Sequence, residues 1–124
     1  MRTLRLFVIL AIAASFQFSF AQTWTAQTSG TNQDLNGLHM VSDAEGWIAA
    51  NGGFLLHTTD AGATWSQVVL VAGNNDIQDV AFRDASFGLA VGDNGQVFRT
   101  INGGTTWNQV GTPTGVNLRG VDWG

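Results

Sequence analysis

The chain has 124 residues, nine acids against five basic residues, and no cysteine. That balance excludes the basic footprint that nucleic acid or an anionic membrane surface requires. The lack of cysteine excludes disulfides and thiolate chemistry, so stability must come from packing, with large aromatic side chains supplying much of the buried area.

In chain order, the first 21 residues read as an export leader. Arg2 and Arg5 make a short positive region, residues 6–16 are almost wholly apolar, and Ser19-Phe20-Ala21 places small residues at a cleavage site before Gln22. The apolar stretch is short for a membrane span, which needs about 20 residues. The expectation is therefore a secreted, periplasmic or cell-envelope protein with no direct membrane insertion after cleavage. Past the leader there is no lysine, and Arg83, Arg99 and Arg119 are the only basic residues.

Short strands follow. Leu38 and Met40 alternate with small or polar neighbours, the period-2 pattern of a half-buried strand. Gly46-Trp47-Ile48-Ala49-Ala50 is a short apolar run suited to a strand buried on both faces. Asn51-Gly52-Gly53 supplies the positive φ angles of a hairpin turn, and Phe54-Leu55-Leu56-His57-Thr58 makes the returning strand. The next turn ends at Trp65, which opens a fourth strand.

The same order then recurs 42 residues on. Leu35 aligns with Ile77, Leu38 with Val80, Met40 with Phe82, Gly46 with Gly88, Gly53 with Gly95 and Trp65 with Trp107. A third copy begins at Trp107 and reaches Val121 and Trp123, in the places of Val80 and Phe82. Four strands in about 42 residues is the unit of a β-propeller blade. The units run at about 24–65, 65–107 and 107–124, inside a propeller piece spanning 22–124. A ring needs about 4–8 blades. The pattern thus reads as an all-β partial propeller, completed by further blades of a longer chain or by self-association.

The loudest motif is the one between the third and fourth strands. Thr58-x-Asp60-x-Gly62-x-Thr64-Trp65 matches the Asp-box of bacterial neuraminidase repeats, and Thr100-x-Asn102-x-Gly104-x-Thr106-Trp107 repeats it with Asn for Asp. An Asp at the head of a turn accepts hydrogen bonds from backbone N–H groups a few residues on, and Asn does so through its carbonyl. With 88–95, 97–100 and 103–107 added, the unit resembles the photosystem II stability/assembly factor family of seven-bladed propellers. The resemblance implies that these ten residues are structural, joining the third and fourth strands away from a catalytic face.

Chemistry within the chain has little to build on. Sialidase-type catalysis needs a tyrosine nucleophile and an arginine cluster. The chain has no tyrosine, and its three arginines sit at unrelated repeat positions. The only Glu past the leader is Glu45. His39 and His57 have no second ligand at metal spacing, and Asp76, Asp79, Asp84 and Asp93 are too scattered for a calcium loop. No catalytic, cofactor or metal site is expected. A non-catalytic scaffold presenting loops to a protein or glycan is the first reading, with Trp47 and Trp123 as candidate exposed contacts, though the alignment of Trp47 with Leu89 reads first as core packing. The alternatives are an assembly factor for a membrane protein complex, as the resemblance implies, and part of a sialidase-like glycosidase with its catalytic residues elsewhere.

Overall fold

The computed structural model describes residues 21–111 and 114–124. The leader expected over 1–21 lies, Ala21 apart, outside the described residues. Eight strands follow in two sets of four. They are β1 (Leu35–Met40), β2 (Gly46–Ala50), β3 (Phe54–Thr58) and β4 (Ser66–Val69), then β5 (Ile77–Phe82), β6 (Gly88–Gly92), β7 (Val97–Thr100) and β8 (Asn108–Gln109). Each set forms one antiparallel sheet in sequential order. This is the four-stranded meander of a propeller blade, and the described residues hold two of them.

The sequence periodicity is carried into the hydrogen-bond register. Leu38 stands opposite Ile48 and Val80 opposite Ala90; Trp47 stands opposite His57 and Leu89 opposite Arg99. Even the irregularity repeats, since the first strand slips at Asn36 in one blade and at Gln78 in the other. The hairpin between β6 and β7 turns on Asn94 (φ 58°) and Gly95 (φ 73°), and that between β2 and β3 on Gly52 and Gly53. Positive φ at two central residues matches the twist of the flanking strands, which is why Asn-Gly and Gly-Gly stand there. The only helical geometry among the described residues is the single 3₁₀ turn Asp93–Gly95.

The main core lies between the blades. Trp47, Ala49 and Leu55 on one face of the first sheet meet Ile77, Val80, Phe82, Ala90 and Phe98 on the second, and Val68, Leu70, Val71 and Trp107 close the rim. The opposite face of the first blade holds a smaller cluster of Ala50, Phe54 and Leu56, packed by Ile48 and Trp65. On that face the alternating pattern of β1 does not lead to burial: Leu35, Leu38 and Met40 are exposed. The face of each blade carrying the Leu38 or Val80 position is its near face, and the face carrying the Trp47 or Leu89 position is its far face.

Candidate functional site

The two motif turns have nearly the same geometry. The Thr58 hydroxyl donates to Asp60 Oδ1 at 2.8 Å and accepts from the Gly62 amide at 2.9 Å. Asp60 Oδ1 accepts from the Thr64 amide at 2.8 Å, and Oδ2 from the Thr64 hydroxyl at 2.6 Å. In the second turn Thr100 donates to Asn102 Oδ1 at 3.0 Å and accepts from the Gly104 amide at 2.8 Å. Asn102 Oδ1 accepts from the Thr106 amide at 2.9 Å. One bond is reversed: the Asn102 amide donates to Thr106 Oγ1 at 2.8 Å, where Thr64 donates to its Asp.

These bonds hold the Asp60 carboxyl well below its ordinary range, at about 2, the Thr64 hydroxyl and amide being the main causes and Thr58 the next. Each turn is also pinned to the loop between the first two strands, by the Ala61 amide to Ala44 O and by the Gly103 amide to Ser86 O, both at 2.9 Å. Thr58 and Thr100 are buried. The bonds made by the Asp, Asn and Thr side chains stay inside their own turn, with Asp60 and Thr64 themselves exposed.

The second motif has an added role across the blades. Gly104 (φ 86°) lies against the Trp47 ring so closely that a Cβ would meet Cζ2 and Cη2. Trp65 packs on the small cluster of the first blade, whereas Trp107 sits edge-on to Trp47 at 5.6 Å and to Phe82 at 5.8 Å. Trp47 is therefore a core residue, 1% exposed, as its alignment with Leu89 suggests, and not an exposed contact. The reason is that its far-face position is covered by the next blade. Trp123 is half-buried against Phe87 at 5.4 Å. The indole nitrogens of Trp47, Trp107 and Trp123 are buried with no hydrogen-bond partner among the described residues.

His57 stacks on Trp47, with ring centroids 3.8 Å apart and planes at 15°, and its Nε2 lies 3.0 Å from Glu45 Oε1. Sequence reading missed this pair because twelve residues and a hairpin separate its members. The signal was the register, which places 57 opposite 47 on adjacent strands. His39 faces Phe82 at 6.0 Å. Among the described residues no group of three or more His, Cys, Asp or Glu is placed to hold a metal ion. Arg83 lies over Phe87 at 4.5 Å and over Trp123 at 5.9 Å, and its Nε donates to Asp84 at 3.1 Å. The Asp84 carboxyl is held below its ordinary range by the amides of Phe87 and Ser86, then by Arg83. Arg99 is exposed on β7.

The opposite end of the blades is a rim of acids and amides that ties one unit to the next. The Gly52 amide donates to Asp76 Oδ1 at 2.9 Å, and at the same point of the second blade the Asn94 amide donates to Asn117 Oδ1 at 3.0 Å. Asn36 Nδ2 donates to Ile77 O at 2.8 Å. The described segment after β8 continues this pattern: Leu118 donates to Gly92 O and Val121 to Asp79 Oδ2, each at 3.0 Å.

Comparison with known proteins points the same way in sequence and in shape. Residues 17–75 match the family described as photosynthesis system II assembly factor YCF48. Two solved structures have similar folds. One, described as YCF48 bound to D1 peptide, has a TM-score of 0.60 and 25% identity over 66% of this chain and 28% of its own. The other, YCF48 from Cyanidioschyzon merolae, has a TM-score of 0.56 and 24% identity over 66% of this chain and 25% of its own. No curated protein matches the chain. The chain thus spans about a quarter of the length of the structures it matches. Its likeness is to the photosystem II assembly-factor type of propeller with neuraminidase-type repeats, and its fold is that of part of such a propeller.

Proposed function

We propose that the chain is a non-catalytic, exported propeller module that binds a protein partner and serves in assembly or scaffolding. The observation that carries the reading is the state of its conspicuous motif. Asp60, Asn102 and their threonines hydrogen-bond within their own turns, which leaves the repeated chemistry to build corners and the variable loops to meet a partner. The similarity to a YCF48 structure bound to a peptide supports a protein as the ligand class. The missing tyrosine argues against sialidase chemistry in these residues. Fold likeness alone does not assign a function, so the partner is left to experiment.

The test offers the purified chain a D1 peptide, a panel of peptides of matched charge, and a fluorogenic sialoside. Saturable peptide binding without sialoside turnover is the expected result. Turnover overturns the non-catalytic half of the reading, and a folded chain that binds no peptide overturns the other. Export is tested separately by N-terminal sequencing of the secreted product, which should begin at Gln22.

A further inference from the structure

Four asparagines are followed directly by glycine: Asn36, Asn51, Asn94 and Asn102. The pair is chemically labile, because glycine has no Cβ to keep its amide nitrogen away from the preceding side chain. That nitrogen loses its proton to water and attacks the asparagine Cγ, a C–N bond closes a cyclic imide, and ammonia leaves. Water then opens the imide to aspartate, or to isoaspartate, in which the main chain runs through Cβ and Cγ. The net change consumes water and releases ammonia, with no oxidant or reductant. The four sites are alike in sequence, so their surroundings decide which of them reacts.

Three of the sites are held. Asn36 Nδ2 donates to Asn51 Oδ1 at 2.7 Å and to Ile77 O at 2.8 Å, and Gly37 lies in the β1–β2 ladder opposite Ala49. Asn51 Oδ1 accepts the first of those bonds, its Nδ2 donates to Asp34 Oδ2 at 3.4 Å, and the Gly52 amide is engaged by Asp76. Asn102 is fixed by Thr100 and by both the amide and the hydroxyl of Thr106, and the Gly103 amide is bound to Ser86 O. Exposure does not separate the sites, since Asn36 and Asn102 are exposed too.

Asn94 differs in its bonding. Its side chain makes one hydrogen bond among the described residues, from Nδ2 to Asn75 Oδ1 at 2.9 Å. It is exposed at the tip of the β6–β7 hairpin, with φ 58° and ψ 24°, inside the single 3₁₀ turn that also carries Gly95. Opening that one turn frees both reacting groups. The tip is also open in the first blade, whose following blade is complete: Gly52, at the repeat position of Asn94, is half-buried there.

We propose that Asn94 is the deamidation site of this chain, and that its slow conversion loosens the joint to the following repeat unit. The Asn94 carbonyl accepts from the amides of Thr114 and Gly115, at 3.0 Å and 3.4 Å, and the Asn94 amide donates to Asn117 Oδ1 at 3.0 Å. In the isoaspartate product that carbonyl leaves the main chain as a free carboxylate, and the hairpin gains a methylene. In either product the donor to Asn75 is lost and a negative charge stands beside Asp93. Asn102 is the contrasting case, the same dipeptide locked into a motif turn.

Peptide mass spectrometry of the purified chain, aged in mildly alkaline buffer with and without guanidinium chloride, tests this. In denaturant the four sites should convert at rates within a few-fold of one another. In the folded chain Asn94 should keep a rate close to its unfolded one, while Asn36, Asn51 and Asn102 slow by at least about tenfold, as groups that react only after their bonds open. Hydrogen exchange at residues 114–118 should quicken in the converted fraction, which its added charge separates. Asn94→Asp, a residue that tolerates the left-handed conformation, should remove the main charge change seen on ageing, its fold being checked by near-ultraviolet circular dichroism. The site is overturned if any of the other three converts as fast as Asn94 in the folded chain, or if folding slows Asn94 as much as it slows them. Unchanged exchange at residues 114–118 overturns the loosening.

Discussion

The two blades carry the same pattern and meet different fates. Val80 is 2% exposed and Leu38, at the same repeat position, is 61% exposed. Both strands have the same register, the same bulge and the same alternation. The difference is the neighbour: the second blade has the first against its near face, and in the described structure the first blade has no sheet there. Alternation in the sequence therefore marks a face able to be buried, and the adjacent blade decides whether it is. Fully burying a Leu, Ile or Phe side chain is worth about 1.5–3 kcal/mol. A near face with a neighbour thus contributes several such increments that a bare one does not.

The largest test of that contrast is a matched pair of truncations. Phe82→Ala should cost about 3–5 kcal/mol in urea unfolding, as a buried aromatic cut back to a methyl group. Leu38→Ala should fall within about 0.5 kcal/mol of wild type, as an exposed site. Equal costs would mean that the first blade's near face is buried in solution.

Next come the two motif glycines, which share φ 86° but not their surroundings. Gly104→Ala drives a Cβ into the Trp47 ring and should cost about 1–3 kcal/mol from overpacking, beyond the cost of positive φ. Gly62→Ala meets only the flexible end of Gln27 and should carry the φ cost alone. Thermal unfolding of both variants reads the difference, and equal shifts would refute the cross-blade seat for Trp47.

The buried threonines should behave alike. Thr58→Val and Thr100→Val each remove an acceptor from a buried glycine amide, so each should cost about 1–3 kcal/mol. A large difference between them would show that the turns are not equivalent corners.

The smallest expected effect is the acid response of the first turn. The Asp60 carboxyl, lowered from 3.8 to about 2, contributes stability that is present above its ordinary value and lost as pH falls from there through about 2. Asn102 does not titrate in that window. Asp60→Asn should therefore flatten the dependence of the unfolding midpoint between about pH 4 and pH 2, and Asn102→Asp should steepen it. An unchanged slope in both variants would remove Asp60 from the acid response.

What could be read from the residues was local. The 42-residue period repeats a local pattern, and the antiparallel hairpins at Asn51-Gly52-Gly53 and Asp93-Asn94-Gly95 and the backbone bonds to the motif Asp join groups within a few residues of one another. Twist, positive φ and short hydrogen-bonded rings depend only on neighbours along the chain, so the sequence alone determined an all-β repeat and the shape of its corners. Only the tertiary structure decided the rest. It left Leu38 bare, drew Glu45 to His57, seated Trp47 on the glycine of the next blade's turn, and laid residues 117–123 over the second sheet. Each of these depends on which faces meet, because a strand's pattern offers an apolar face to any sheet and burial is settled by the one that arrives.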